Sequence, residues 1–181
     1  MKASQMFYKL ICLVLLYSPL LTDGQSNSRS NAIMMGNYSS GPFSFSDSRN
    51  NSGYGNEYTT PGDPFFGQPS EDIFYRFTLK GTAEVSISTC GPDFDTYIHL
   101  LNSDGSPLAH NDNNGVICAG SSASLQATLA AGEYYLVLEG YGSGRGQINT
   151  LVNLVVPAPS VLTPTSSRNF IRVWEATAPQ G

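Results

Sequence analysis

The sequence predicts an all-β protein: an antiparallel, jelly-roll-like β-sandwich forming a single domain with disordered ends. Short runs of alternating apolar and polar residues follow one another between residues 72 and 156, separated by turn residues. No long segment has helical periodicity, and 18 glycines and 11 prolines are typical of a turn-rich chain. The jelly-roll order is favoured over an immunoglobulin-like one because Trp174, the only tryptophan, lies outside these runs.

Each predicted strand shows the two-residue period of a half-buried strand. In residues 72–79, Ile73, Tyr75 and Phe77 point to one side and Arg76 to the other. The predicted strands of the ladder are residues 72–79, 83–89, 96–102, 107–110, 122–129, 133–139 and 147–156. Because no crossover helix separates them, they are expected to form two packed antiparallel sheets.

Composition divides the chain into four segments. Residues 1–24 have a positive start and a short apolar run, which predicts a secretory signal peptide. The alternative is an uncleaved membrane anchor, but the run is shorter than the ~20 residues of a span. Residues 25–60 are a Ser/Asn/Gly-rich, partly ordered lead-in, and residues 61–156 are the sandwich. Residues 157–181 are a Pro/Ser/Thr linker and a strand-like stub, as in a truncated chain.

The charge is unevenly distributed along the chain. Residues 81–144 contain no lysine or arginine but several acidic residues. A module with this balance repels phosphate backbones, so nucleic acid is not an expected partner. It attracts cations, although a solvated acidic surface is the alternative.

The cysteines indicate the compartment. Cys12 lies in the predicted signal peptide, which leaves Cys90 and Cys118 as an even pair. In an oxidising environment such a pair is expected to form a disulfide. The protein is therefore predicted to be secreted or on the cell surface, with no membrane partner after signal cleavage.

Carboxylates and amides concentrate near these two cysteines. Calcium prefers six to eight hard oxygen ligands, including carboxylate, amide and main-chain oxygens. The candidate calcium ligands are Asp93, Asp95, Asn111, Asp112 and Asn114. The spacing is not that of an EF-hand, and the alternative is that these side chains only stabilise turns through bonds to their own backbone.

No sequence motif indicates catalysis. A Gly-x-Ser-x-Gly elbow and a His-Glu-x-x-His pair are both missing, so the protein is predicted not to be an enzyme. A hydrolytic carboxylate pair among Asp93, Asp95 and Asp112 is the alternative. Aromatic residues available for carbohydrate binding are Tyr54, Tyr58, Phe65, Phe66 and Tyr141, although the ladder lacks a tryptophan.

The ladder resembles the bacterial pre-peptidase C-terminal domain family, in the variant found in secreted proteins of Bacteroidetes-like bacteria. The matching motifs are Asp72-Ile-Phe-Tyr-Arg-Phe77, Ser86-Ile-Ser-Thr-Cys-Gly91, Phe94-Asp-Thr-Tyr97, Asp104-Gly105, Asn111-Asp112, and Ala131-Gly-Glu-Tyr-Tyr-Leu-Val137 followed by Gly140-Tyr141. The last strand departs from the family pattern, with Ile148-Asn-Thr-Leu151 in place of Tyr-x-Leu. The resemblance implies a jelly-roll sandwich attached to secreted enzymes or large surface proteins, generally non-catalytic, with some members binding calcium or extracellular polymers.

The expected function is that of a secreted, non-catalytic accessory module, binding calcium, that attaches to or stabilises a larger extracellular or surface protein. Its expected partners are neighbouring domains of that protein and an extracellular polymer. The first alternative is a module that binds a polysaccharide or protein polymer, and the second is a hydrolase fragment. The tail at Asn169-Phe-Ile-Arg172 is similar to the segment that opens RHS-repeat-type surface proteins.

Overall fold

The computed structural model describes residues 27–58, 67–91 and 93–159. The predicted signal peptide and the strand-like stub near Trp174 lie outside these residues. A short 3-10 helix, Arg29–Asn31, precedes the strands. The strands are β1 Ile33–Tyr38, β2 Gly41–Asn50, β3 Ile73–Leu79, β4 Ala83–Ser88, β5 Thr96–Asn102, β6 Pro107–Asn111, β7 Ser124–Leu129, β8 Gly132–Gly140 and β9 Gln147–Val156. Over the described part of the chain, no helix has the length and apolar character to cross a membrane.

The strands form two sheets that pack against each other, which confirms the all-β sandwich. One sheet has the order β1-β3-β8-β5-β6 and the other the order β2-β9-β4-β7. Nearly all neighbours are antiparallel, as predicted, but β1 runs parallel to β3. β1 and β2 come from the predicted lead-in, so this segment contributes a strand to each sheet of the folded unit.

The main core lies between the two sheets and follows the predicted alternation. β3 contributes Ile73, Tyr75 and Phe77, all fully buried. β9 alternates strictly between exposed and buried residues and contributes Ile148 and Val152. Each such side chain stabilises the fold by roughly 1.5–3 kcal/mol relative to an exposed position.

The five-stranded sheet also buries its outer face, which the sequence alternation did not predict. On β8, Leu136 and Leu138 face the main core, while Tyr135 and Val137 join a second apolar cluster on the opposite face. Tyr58, from the connection between β2 and β3, is 5% exposed and belongs to that second cluster. The connection therefore covers the outer face of the sheet, and β8 is buried on both sides.

Cys90 and Cys118 form the predicted disulfide, with their Cα atoms 5.4 Å apart. The bond joins the β4–β5 connection to the β6–β7 connection. Thr96 strengthens the same junction, because its Oγ1 accepts a hydrogen bond from the Ala123 N–H at 3.0 Å and lies 2.7 Å from Thr89 Oγ1. These two connections are thus held side by side at one end of the sandwich.

Removing the disulfide is expected to lower the free energy of unfolding by about 3–4 kcal/mol, because a closed loop of 28 residues no longer restricts the unfolded chain. Urea unfolding of a Cys90→Ala/Cys118→Ala variant measures this loss. Reduced wild-type protein is the matched control and should unfold at the same urea concentration as the variant. Equal stability of the variant and the oxidised wild type would contradict the expectation.

Candidate functional site

The predicted calcium ligands lie on the two connections that the disulfide joins. Asp95 immediately precedes β5, and Asp112 immediately follows β6. The pairing of β5 with β6 sets Ile98 opposite Asn111, which brings these two strand ends to the same edge of the sheet. The sheet register, more than any local motif, therefore determines which acidic residues meet.

The structure brings Asp95 and Asp112 together. Their side chains lie within interacting distance, and each has a buried Oδ1 atom without a hydrogen-bond partner. Burial raises the pKa of Asp112, and the neighbouring Asp95 carboxyl raises it further. Two carboxylates so close repel each other, so the pair is stabilised by sharing a proton or by holding a cation.

The predicted amide ligands are engaged in loop hydrogen bonds. Asn111 Oδ1 accepts the Ser124 N–H at 2.8 Å, and Asn111 Nδ2 donates to the Asn113 carbonyl at 3.3 Å. Asn114 Oδ1 accepts the Gly120 N–H at 3.2 Å. Asn114 also has a φ of 47°, a left-handed conformation that asparagine tolerates better than most residues. Both side chains therefore stabilise the β6–β7 connection.

Asp93 lies elsewhere, on a surface cleft between the β4–β5 connection and the glycine-rich loop that links β8 to β9. Phe94, Arg145 and Gln147 line the same cleft. Tyr141, one of the predicted carbohydrate-binding aromatics, lies on the same loop with 51% of its surface exposed. Tyr58 is buried, and Phe65 and Phe66 lie outside the described residues.

Among the residues that the structure describes, no three His, Cys, Asp or Glu side chains are grouped so that they could hold a metal ion. A calcium ion at Asp95 and Asp112 would therefore need main-chain, amide or water oxygens to complete its six to eight ligands. Hard oxygen donors of this kind suit calcium better than a transition metal.

Sequence analysis missed a second group of titratable side chains, Asp72, His99 and Glu139, which are 0%, 1% and 0% exposed. His99 Nε2 lies 2.5 Å from Glu139 Oε1, and the His99 ring stacks on Tyr97. In the sequence, Glu139 is one of several acidic residues between residues 81 and 144. The alternation of β8 places Glu139 on the sheet face opposite Leu138, but no residue pattern near Glu139 indicates that this face is covered by the β2–β3 connection.

These carboxylates hold the backbone of the connection that covers the sheet. Asp72 Oδ2 accepts the N–H groups of Glu57 and Tyr58, both at 2.6 Å. Glu139 Oε2 accepts the Gln68 N–H at 2.8 Å. The two carboxyl groups thus attach both ends of the described connection, before residue 59 and after residue 66, to the five-stranded sheet.

Burial controls the protonation of this group. It raises the pKa of Glu139 to about 10 and that of Asp72 to about 6, and it lowers the pKa of His99 to about 3. The nearby Asp72 raises the pKa of Glu139 further, whereas the two backbone N–H donors oppose the rise at Asp72. At neutral pH, Glu139 is therefore protonated, His99 is neutral, and the negative charge lies on Asp72, where two N–H groups stabilise it.

Residues 72–140 match the family model of the bacterial pre-peptidase C-terminal domain. This range runs from Asp72 to the end of β8 and includes both acidic groups described above. No curated protein matches the sequence.

The matches to solved structures include three with low sequence identity and low TM-scores. Aeromonas hydrophila PliG, a periplasmic inhibitor of g-type lysozyme, is 10% identical with a TM-score of 0.38, covering 69% of this chain and 98% of that one. The pre-peptidase C-terminal domain of a Bacillus anthracis collagenase is 13% identical with a TM-score of 0.35, covering 67% and 93%. CorA, a surface-associated copper-binding protein of Methylomicrobium album BG8, is 8% identical with a TM-score of 0.33, covering 70% and 100%.

The protonation of Glu139 predicts a loss of stability at alkaline pH. Its pKa in the folded state, about 10, exceeds the ordinary 4.5, so the folded state holds a proton that the unfolded state has lost. Stability therefore falls as the pH rises between these values, by up to about 1.4 kcal/mol per pH unit. Urea unfolding between about pH 7 and pH 9, above the pKa values of Asp72 and His99, isolates this contribution.

A Glu139→Gln variant should show a flatter dependence of unfolding free energy on pH across the same range. Glu84→Gln removes a carboxyl from an exposed position on β4 and is the matched control, with the wild-type slope expected. Equal slopes for Glu139→Gln and Glu84→Gln would show that Glu139 is already ionised in the folded protein.

Proposed function

We propose that the chain is a secreted, non-catalytic accessory module of a larger extracellular or surface protein, because residues 72–140 match the family model of the bacterial pre-peptidase C-terminal domain. In this role the module attaches to, or stabilises, the domains beside it. The Cys90–Cys118 disulfide supports an extracytoplasmic location, since such bonds persist in oxidising compartments.

The main support for a non-catalytic role is that the buried ionisable side chains hydrogen-bond to the backbone of the protein itself. A catalytic acid or base needs hydrogen-bonding access to a bound substrate. Here, Asp72 and Glu139 direct their carboxylate oxygens at the backbone N–H groups of Glu57, Tyr58 and Gln68. Their perturbed pKa values are therefore accounted for by a structural task, which is to fix the covering connection.

The purified protein is expected to release no product from labelled casein, cellulose or chitin above the level of a heat-denatured control. An Asp95→Ala variant assayed in parallel should be equally inactive. Turnover by the wild type that disappears in Asp95→Ala would instead support the hydrolase fragment, because Asp95 and Asp112 are the accessible candidates for a carboxylate pair.

Calcium binding at Asp95 and Asp112 is the second part of the proposal. The unpartnered Oδ1 atoms of the two side chains support it, since a divalent cation would satisfy both and remove the repulsion between them. A cation there would link the strand ends of β5 and β6, beside the disulfide. The module would then be more rigid outside the cell, where free calcium is abundant.

Millimolar calcium is expected to raise the melting temperature of the wild-type protein, and a chelator should reverse the rise. The effect of Asp112→Asn on the melting temperature should depend on whether calcium is present. Without calcium it removes the repulsion from Asp95 and leaves the melting temperature equal to or above that of the wild type. With calcium it should show no further rise, because one ligand is lost.

Asp104→Asn is the matched control for this experiment. Asp104 lies on the exposed turn between β5 and β6, away from the carboxylate pair. Its Oδ1 accepts hydrogen bonds from the N–H and the hydroxyl of Ser106. Its variant should keep the full calcium response. No calcium shift in the wild type, or an equal shift in Asp112→Asn, would contradict the site and leave a pair that shares a proton.

A further inference from the structure

The surface cleft that contains Asp93 has no role in the accessory function proposed above. It has a volume of about 420 Å³ and lies between Gly91, Asp93 and Phe94 on one side and residues 145–149 on the other. That volume falls within the roughly 300–1,000 Å³ typical of small-ligand sites. The cleft is also distinct from the Asp95–Asp112 pair and from the buried group around Glu139, so neither explains its composition.

An aromatic ring forms one wall of the cleft. Phe94 packs partly against the main core, while its remaining surface lines the cleft. The ring lies directly against the glycine-rich loop: a Cβ atom on Gly146 would be 2.8 Å from the ring, and one on Gly144 would be 3.1 Å from it. Glycine at these two positions therefore lets the loop backbone approach the ring closely, and a side chain at either position would displace it.

Two amide side chains form the polar floor. Ser48 on β2 lies between them, because its Oγ donates to Asn149 Oδ1 at 2.6 Å and accepts from Gln147 Nε2 at 2.9 Å. The hydrogen bonds to Ser48 use Asn149 Oδ1 and Gln147 Nε2, which leaves Gln147 Oε1 as a further acceptor and Asn149 Nδ2 as a further donor. A ligand hydroxyl, which both donates and accepts, matches this arrangement.

Most of the charge at the cleft is compensated. Arg145 is 54% exposed and is held in place by an ion pair between its Nε and Glu71 Oε2. Asp93, on the opposite wall, is exposed. Because Glu71 already neutralises Arg145, Asp93 leaves one net negative charge, which disfavours an anionic ligand. Arg145 and Asp93 also supply further donors and acceptors for hydroxyl groups.

We propose that this cleft binds a neutral polysaccharide chain, with a sugar ring against Phe94 and its hydroxyl groups on Gln147 and Asn149. A sugar ring has an apolar face and a polar edge, which suits one aromatic wall beside a floor of oriented amides. A peptide polymer is less well matched, because the cleft offers a single small apolar surface for its side chains. The inference rests on the accessory role and gives that module a ligand.

The test is affinity electrophoresis of the full chain in native gels that contain one polymer each. The neutral polymers are hydroxyethylcellulose, laminarin, xyloglucan and glycol chitin, and the contrasting ones are heparin and gelatin. The expected result is retardation by at least one neutral polysaccharide and by neither contrasting polymer. Gln147→Ala and Asn149→Ala should each raise the dissociation constant about fivefold, as expected for one lost hydrogen bond.

Phe94→Ala should abolish the retardation, with thermal unfolding used to check that the variant remains folded. Gln147 and Asn149 are exposed, so alanine at either position is expected to leave the fold intact. These two variants therefore test polysaccharide binding even if Phe94→Ala unfolds. Gln126→Ala is the matched control, since it removes the same type of side chain from a separate recess on β7 and should bind like the wild type.

Three results would overturn the inference: no retardation in any neutral gel, retardation by gelatin alone, or equal binding by Asn149→Ala and Gln126→Ala. Retardation by gelatin alone would assign the surface to a protein polymer. Each of these results leaves the accessory role standing, because that role is judged by product release and by the calcium response.

Discussion

The burial of the five-stranded sheet on both faces is the constraint on which the rest of the structure depends. An antiparallel sheet commonly leaves one face to water, but here β8 contributes Leu136 and Leu138 to one core and Val137 to another. The described part of the covering connection is fixed both by the packing of Tyr58 and by backbone hydrogen bonds to Asp72 and Glu139. The covered face is therefore stabilised by buried carboxyl groups, and its stability depends on their protonation.

The acidic residues of the chain have three different roles in the folded protein. Those under the covering connection bind backbone N–H groups and are inaccessible. Asp95 and Asp112 meet at the strand ends beside the disulfide, where the Oδ1 atom of each has no hydrogen-bond partner. Asp93 lines a surface cleft together with Arg145, which is paired with Glu71. Carboxylates that look equivalent in the sequence are thus placed by the sheet register in three settings. One set binds backbone N–H groups, one forms a close pair, and Asp93 lines the surface cleft.

Alternation and composition were sufficient to predict the strands, the sandwich and the disulfide. The strands of the ladder, the sandwich and the Cys90–Cys118 bond follow from a two-residue period and an even cysteine pair, and the structure confirms them. The pairing of β1 with β3 and of β2 with β9 could not be predicted, because a strand's own residues do not show which distant strand it will join. The buried Glu139 could not be identified, since a lone acidic residue in a strand indicates solvent unless its cover is known. The candidate calcium set combined residues that share a segment, but in the fold only Asp95 and Asp112 share a site.

The pairing of β2 with β9 has a consequence for how the chain acquires its structure. β9 lies between β2 and β4 in the four-stranded sheet, and β2 pairs with it along all ten residues, from Gly41 opposite Val156 to Asn50 opposite Gln147. Contacts between such distant segments form slowly, because a long loop must close first. A chain still lacking its last strand would leave β2 and β4 without the strand that lies between them, and the main core without Ile148, Val152, Leu154 and Val156. The four-stranded sheet is therefore completed only when residues 147–156 are available to pair.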